Sequence, residues 1–206
     1  MSAPGTTARG SFLLFGLLTA ACNAGSQSES AIQPLYDSGT GRLQQLRYDS
    51  DKNGTVDTVS YMDGSRLLRI EVDSNEDGRV ERWDYYGPDW RLEKIGFSRQ
   101  NDGKEDAWSF LGTDGAVSRI EISTERDGRV TRIEHFQQGT LLRAETDDDR
   151  DGRMDRWETY DGTRLSMVAF DTAGRGKPDR RLVYAGNGTP TLEVDPDGDG
   201  MFGVAP

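Results

Sequence analysis

The chain has a single cysteine, Cys22, and a single histidine, His135, in 206 residues. One thiol cannot build a disulfide framework, and these two residues do not assemble a Ser–His–Asp or Cys–His set. Hydrophobic residues make up only 33% of the chain, too few for a thick globular core. Aromatic residues nevertheless recur too regularly for disorder. No glycine is followed by the helix that a phosphate-binding loop needs. Positive charge is also short, and the formal charge of −11 excludes a nucleic-acid backbone or an anionic lipid surface as the natural partner. Cations remain, or simple solubility.

The first 21 residues contain no Asp or Glu and one basic residue, Arg9. The apolar run at residues 12–18 is too short to span a bilayer, and it ends in Thr19-Ala20-Ala21-Cys22. A charged start, a short apolar stretch and small residues before a cleavage point describe a secretory signal. The segment resembles a bacterial lipobox, although Thr19 stands where Leu is usual. That resemblance implies acylation of Cys22, which would become the first residue of the mature protein. The alternative is an ordinary secretory signal with a chance cysteine. Residues 22–35 are polar and small and read as a flexible tether. Asn23, and not Asp, follows the cysteine, so nothing resembles the inner-membrane retention signal of some bacteria. The expectation is an exported protein, lipid-anchored in the cell envelope, at the outer membrane or the cell surface.

The remainder, residues 36–206, is organised by a recurring glycine. Gly54, Gly78, Gly103, Gly128, Gly152, Gly176 and Gly200 follow one another at 24, 25, 25, 24, 24 and 24 residues, each in an acidic turn. A fixed period of this size marks a repeat architecture. After each glycine the chain alternates: Trp83 and Tyr85, then Trp108 and Phe110, flank polar residues at strand spacing. A second turn follows, at Asp63-Gly64, Asp114-Gly115, Gln138-Gly139, Asp161-Gly162 and Asn187-Gly188. Such pairs suit hairpins that need positive φ. The chain returns through Ile70/Val72, Ile95/Phe97, Ile120/Ile122 and Val168/Phe170. Helix is excluded by the alternation of β-branched and aromatic residues and by the frequent glycines.

The fold class is therefore all-β, an antiparallel β-meander of about six 24-residue hairpin repeats and about thirteen strands. Residues 36–48 resemble the second half of a unit, so the array is expected to begin near Tyr36. One face is expected to carry Trp83, Tyr85, Trp108, Phe110, Trp157 and Tyr160, the other Arg82, Asp84, Arg156 and Glu158. One apolar face would need covering by curling, by a second layer or by a partner. Gly152 to Tyr160 is eight residues and Gly78 to Tyr85 seven, which suggests a bulge in the later units. In period and hairpin content the array is similar to MORN-type bacterial repeats, without their consensus Gly and Tyr positions.

Calcium takes six to eight oxygens, and side chains at positions 1, 3 and 5 of a turn can wrap three around one ion. Glycine at position 6 permits the bend, position 7 offers a carbonyl, and position 9 another carboxylate. Three turns fill this pattern. They are Asp49, Asp51, Asn53, Thr55 and Asp57; Asp73, Asn75, Asp77, Arg79 and Glu81; and Asp147, Asp149, Asp151, Arg153 and Asp155, where the position-7 residue acts through its carbonyl. These turns look like the loops of EF-hands, dockerins and thrombospondin-type repeats. Position 12, a bidentate Glu in EF-hands, is here Ser60, Asp84 or Glu158. The sites are expected to be weak, with dissociation constants on the order of 10⁻⁴ to 10⁻³ M.

The other turns are incomplete: Ser98/Gln100/Asp102, Ser123/Glu125/Asp127, and Asp171/Ala173/Arg175, where an arginine opposes binding. Asp195/Asp197/Asp199 starts well but has Gly203 at position 9. The competing reading is that Asp and Asn simply cap their own turns without metal. Three carboxylates in one loop repel without an ion, which favours the metal.

The functional reading is a non-catalytic, lipid-anchored envelope repeat protein whose acidic turns bind calcium and which serves as scaffold or binding surface. Its partner in the envelope, protein or glycan, is left open. One alternative is a carbohydrate-binding or carbohydrate-active accessory protein using exposed tryptophans. The other is a metal-free structural repeat. His135 reads as a surface or edge residue, and the repeated Trp residues as core.

Overall fold

The computed structural model describes residues 32–186 and 188–205. Cys22, the signal segment and most of the tether lie outside the described residues, as does Asn187 of the expected Asn-Gly turn. The described chain has no helix. It forms fifteen strands: β1 (Ile32–Tyr36), β2 (Leu43–Tyr48), β3 (Thr58–Asp63), β4 (Arg66–Val72), β5 (Arg82–Tyr86), β6 (Leu92–Phe97), β7 (Ala107–Leu111), β8 (Val117–Ile122), β9 (Arg132–Gln137), β10 (Thr140–Thr146), β11 (Arg156–Asp161), β12 (Arg164–Phe170), β13 (Arg180–Val183), β14 (Thr191–Val194) and β15 (Gly203–Val204).

Each strand pairs with the next in a single antiparallel sheet, ordered β1 to β15 without closure. The expected meander is present. It holds two strands more than about thirteen, because β1 starts at Ile32, inside the stretch read as tether, and β15 adds a short pair after the last acidic turn. Tyr36 ends an outgoing strand, so a whole hairpin precedes Tyr48. Consecutive antiparallel pairing puts every acidic turn on one long side of the sheet and every tight loop on the other.

The expected division into one apolar and one polar face is corrected by the register. Residues directly opposite across an antiparallel pair share a face. Trp83 lies opposite Glu71 and Gly96, whereas Asp84 lies opposite Ile70 and Ile95. Outgoing strands therefore place Trp83, Tyr85, Trp108, Phe110 and Trp157 on the first face, and returning strands place Ile70, Ile95, Ile120 and Val168 on the second. From β3 to β12 the central rows of both faces alternate apolar and polar positions, and Val168, Leu182 and Leu192 adjoin on the second face only at the C-terminal end, so the described residues form no apolar face running the length of the sheet.

On the first face one row reads Tyr61, Arg69, Tyr85, Lys94, Phe110, Arg119, His135 across successive strands. The cations lie over their aromatic neighbours: Arg69 is 4.1 Å from the Tyr61 ring centre, Lys94 4.0 Å from Tyr85 and Arg119 4.2 Å from Phe110. Such contacts contribute about 0.5–1 kcal/mol each at partly exposed sites. The stems of these side chains cover the rings while their charges stay wet.

The expected extra residue of the later units is absent, since Trp157 follows Gly152 by the same interval as Trp83 follows Gly78. Tyr160 corresponds to Tyr86, each facing a leucine (Leu165 and Leu92) in the returning strand. It lies on the face of Glu158, to which its hydroxyl donates at 2.8 Å. The bulge is instead a property of six hairpins, one residue of the returning strand being skipped near the tight loop. Those residues are Gln44, Leu68, Glu93, Ser118, Leu142 and Ser166.

The interior is largely polar. Among the described residues the buried apolar side chains are Trp83, Ala107, Ala144, Val168 and Ala169. Thr131, Asp106, Asp195 and Ser123 are the largest fully buried ones, and all four belong to the acidic turns. These turns, and not an oily core, hold the described chain's most secluded groups.

Candidate metal centres in the acidic turns

Each acidic turn is closed by backbone amides that donate to the side-chain oxygen of its own first residue. Asp49 Oδ2 accepts from Gly54 N at 2.8 Å, Asp73 Oδ2 from Gly78 N at 2.9 Å and Asp147 Oδ2 from Gly152 N at 3.0 Å. Position 3 accepts from the amide of position 5, as Asp51 Oδ1 does from Asn53 N (3.1 Å) and Asp149 Oδ1 from Asp151 N (3.1 Å). Position 5 accepts from the amide of position 7, so Asp77 holds Arg79 N at 2.9 Å and Asp151 holds Arg153 N at 2.8 Å. These bonds fix the side chains of positions 1, 3 and 5 against the backbone of the turn.

The recurring glycines have positive φ in all seven copies, from 77° at Gly176 to 97° at Gly54. A second left-handed residue precedes each by two positions: Lys52, Glu76, Asn101, Arg126, Arg150, Gly174 and Gly198. Only the two glycines in this series announce that conformation in the sequence.

Position 9 serves the backbone. Asp57 Oδ2 accepts from Ser50 N at 2.7 Å, Glu81 Oε2 from Ser74 N at 2.7 Å and Asp155 Oδ2 from Asp148 N at 2.9 Å. Burial alone would raise the Asp57 carboxyl, but bonds from Ser50 and Thr58 hold it below the ordinary value. In each of the three turns one position-9 oxygen is thus committed to the fold.

Two carboxylate triplets, Asp147/Asp149/Asp151 and Asp195/Asp197/Asp199, bring three ligand oxygens within 4.8 Å of one another. The first was expected from the sequence. The second was discounted for its missing position 9, a residue the geometry shows to be a backbone clamp. The turns at Gly54 and Gly78 place Asn53 and Asn75 between paired carboxylates and form no such triplet.

Asp147 is only 3% exposed, and its Oδ1 is buried without a hydrogen-bond partner. Glu81 Oε1, in the turn at Gly78, is the other buried carboxylate oxygen in that condition among the described residues. Among the described residues no basic side chain forms an ion pair with Asp147, Asp149 or Asp151. The nearby Arg150 turns back to Asp127, and Arg156 pairs with Asp148 at 2.7 Å. In Asp195 both oxygens are satisfied by Gly198 N (2.8 Å) and Gly200 N (2.9 Å). Burial would raise that carboxyl, yet these two amides hold it below its ordinary value.

The turn at Gly103 holds a guanidinium. Arg126, from the next turn, donates from Nη1 to Gln100 Oε1 at 2.5 Å and from Nε to Asp106 Oδ2 at 2.7 Å, and pairs with Asp102. Positions 3, 5 and 9 of that turn thus surround a guanidinium. Arg150 pairs in the same way with Asp127 of the turn at Gly128. At the turn at Gly54, Glu76 accepts from Asn53 Nδ2 at 2.8 Å. The turn at Gly152 is followed by Gly174, which has no side chain to send back.

His135, read as a lone surface or edge residue, is half-buried on the first face with Nε2 3.1 Å from Glu145 Oε1. Trp83 is buried, as a core reading expects, whereas Trp108 and Trp157 are only half-buried. No protein-family model and no curated protein matches the chain. Weak structural likenesses include a crystal structure of TarM (13% identity, TM-score 0.39, covering 48% of this chain and 19% of that one). Another is to accessory secretory protein 1, 2 and 3 in Streptococcus pneumoniae (12% identity, TM-score 0.28, 72% and 21% covered). The chain spans about a fifth of the length of these structures.

Proposed function

We propose that the protein is a non-catalytic, calcium-binding β-repeat scaffold of the bacterial envelope, anchored through Cys22. The buried, unpartnered Oδ1 of Asp147 beside Asp149 and Asp151 carries the metal reading. A buried charged oxygen with no donor costs stability, and three neighbouring carboxylates add mutual repulsion. A divalent cation removes both costs at once. The ligands would be the side chains of Asp147, Asp149 and Asp151 and the Arg153 carbonyl, with water completing the shell. The turns at Gly54 and Gly78 offer weaker sets, each containing an asparagine.

The anchoring reading rests on Thr19-Ala20-Ala21-Cys22 after a short apolar run. Mass spectrometry of the membrane-extracted protein should show an acylated N-terminal cysteine, and Cys22→Ser should release the protein from the membrane. An intact N-terminus would remove that part of the reading.

The metal reading is tested by thermal unfolding in EDTA and in rising calcium. The midpoint should climb once calcium passes about 10⁻⁴ to 10⁻³ M, with magnesium doing less. A midpoint indifferent to calcium would leave self-capped turns without metal.

A further inference from the structure

Asn53 stands at position 5 of the turn at Gly54, where the turns at Gly78, Gly103, Gly128, Gly152 and Gly200 have aspartate. Among the described residues it is the only asparagine followed by glycine. In that pair the backbone nitrogen of the glycine can close on the asparagine side chain, because no Cβ obstructs the five-membered ring that forms. Nothing lies within 4 Å of where a Cβ on Gly54 would stand, and both residues are exposed to water.

The fold gives a partner to each polar atom of this reaction. Gly54 N, the nucleophile, donates to Asp49 Oδ2 at 2.8 Å, a carboxylate placed to take its proton. Asn53 Oδ1 accepts from Thr55 N at 2.7 Å, which polarises the carbonyl under attack. The leaving nitrogen, Nδ2, donates to Asp51 Oδ2 at 3.1 Å and to Glu76 Oε1 and Oε2 at 2.8 and 2.7 Å. Oδ1 meets a donor and Nδ2 only acceptors, which fixes the orientation of the amide. The position-5 aspartates accept the same bond from position 7, but an ionised carboxylate resists a nucleophile.

We propose that Asn53 is a site of self-modification, its side-chain amide converted to a carboxylate through attack by Gly54 N in the folded protein. The bond from Gly54 N to Asn53 Cγ forms and the Cγ–Nδ2 bond breaks. The bonding pair leaves with Nδ2, which takes up the proton given by Gly54 N and departs as ammonia. Water then opens the cyclic imide at either carbonyl and leaves aspartate or isoaspartate. Water is the sole co-reactant.

Conversion adds a negative charge beside Asp51 and Glu76 and removes the donor that both of them share. The aspartate product carries carboxylates at positions 1, 3 and 5, as the turns at Gly152 and Gly200 do. The worth of that set as a ligand cage rests on the calcium reading, whereas the modification itself does not.

The test incubates the full-length protein in mildly alkaline buffer with EDTA, folded and guanidinium-unfolded, so that no metal enters the readout. Mass spectrometry of the peptide spanning Asn53 follows the replacement of amide by acid, both product isomers being counted together. The folded chain should convert at a rate equal to or above that of the unfolded chain. Asp49→Asn should slow the folded-state conversion several-fold, since it removes the proton acceptor. A folded-state rate below the unfolded one, or a rate in Asp49→Asn equal to or above the wild type's, would overturn the proposal.

Discussion

Arg126 Nε donates to Asp106 Oδ2 at 2.7 Å, so a side chain of one repeat neutralises a carboxylate of the repeat before it. Asp106 has no exposure and also accepts from Arg99 N and Nε, each at 3.1 Å. Burial pushes this carboxyl up, but the bonds from Arg126 and Arg99 outweigh it and hold it below its ordinary value of 3.8. A lowered folded-state pKa contributes stability above the unfolded value and loses it as pH falls through the folded one. Asp106→Asn should therefore cost about 2–3 kcal/mol at neutral pH through the loss of charge-assisted bonds. The gap to the wild type should close below pH 3.8. Paired urea melts from pH 7 to pH 2 check both statements, and a gap that stays constant into acid would refute the assignment.

Glu105 ties three elements together at the other extreme of pH. Its carboxylate lies over Gly96, between the opposed Trp83 and Trp108, and accepts from Tyr85 OH and Trp108 Nε1. Burial first, and then the bond to Glu105, push the Tyr85 hydroxyl well above its ordinary value of 10.0. A raised pKa favours the protonated folded state, so this contribution is complete below pH 10 and is lost as pH rises beyond it. Tyr61, Tyr86 and Tyr160 are raised as well, so spectrophotometric titration should show these tyrosines ionising later in the folded protein than in the unfolded chain, with Tyr85 the most delayed. Tyr85→Phe should remove the latest step and leave the others.

Gly96→Ala probes the same cluster without touching a titrating group. A Cβ there would lie 2.6 Å from Glu105 Oε2, so the carboxylate must leave both of its donors. The expected cost is about 1–3 kcal/mol, because Trp108 Nε1 and Tyr85 OH lose a half-buried acceptor. A Glu105→Ala background should make the glycine substitution nearly neutral, which a double-mutant cycle measures.

The period, the turns and the hairpins were legible because glycine and Asp-Gly pairs report φ directly, and Gly54 and Gly64 both have positive φ. The relative phase of neighbouring strands was not. Alternation within a strand is visible in a sequence, but whether Trp83 lies opposite Glu71 or Ile70 is set by the length of the connecting turn. That one-residue question produced the expected apolar face that the register removes. The Asp195 triplet was undervalued for a related reason. Position 9 resembles a ligand in sequence, and only the bond from Ser50 N to Asp57 reveals it as a clamp. The guanidinium in the turn at Gly103 was hidden because its donor, Arg126, sits 20 residues beyond Asp106.

The contrast between Arg126 and Gly174 gives the sharpest test of the metal centre. Both occupy position 4 of an acidic turn with nearly equal φ, 62° and 65°. Arg126 reaches back into the preceding turn and fills its acidic ring, whereas Gly174 leaves Asp147, Asp149 and Asp151 without an internal cation. An arginine tolerates the backbone at this position, as Arg126 and Arg150 show, and a Cβ on Gly174 meets nothing within 4 Å. Gly174→Arg should place a guanidinium against Asp151, as Arg150 does against Asp127 and Arg126 against Asp102. The variant should melt higher than the wild type in EDTA, because the tethered charge relieves the repulsion among the three carboxylates. Its midpoint should then respond less to calcium than the wild type's, since the ion must displace a cation already in place. Gly174→Ala controls for the loss of glycine and should keep the full calcium response. A calcium response undiminished in Gly174→Arg, with no gain of stability in EDTA, would separate the ion site from the Asp147 turn.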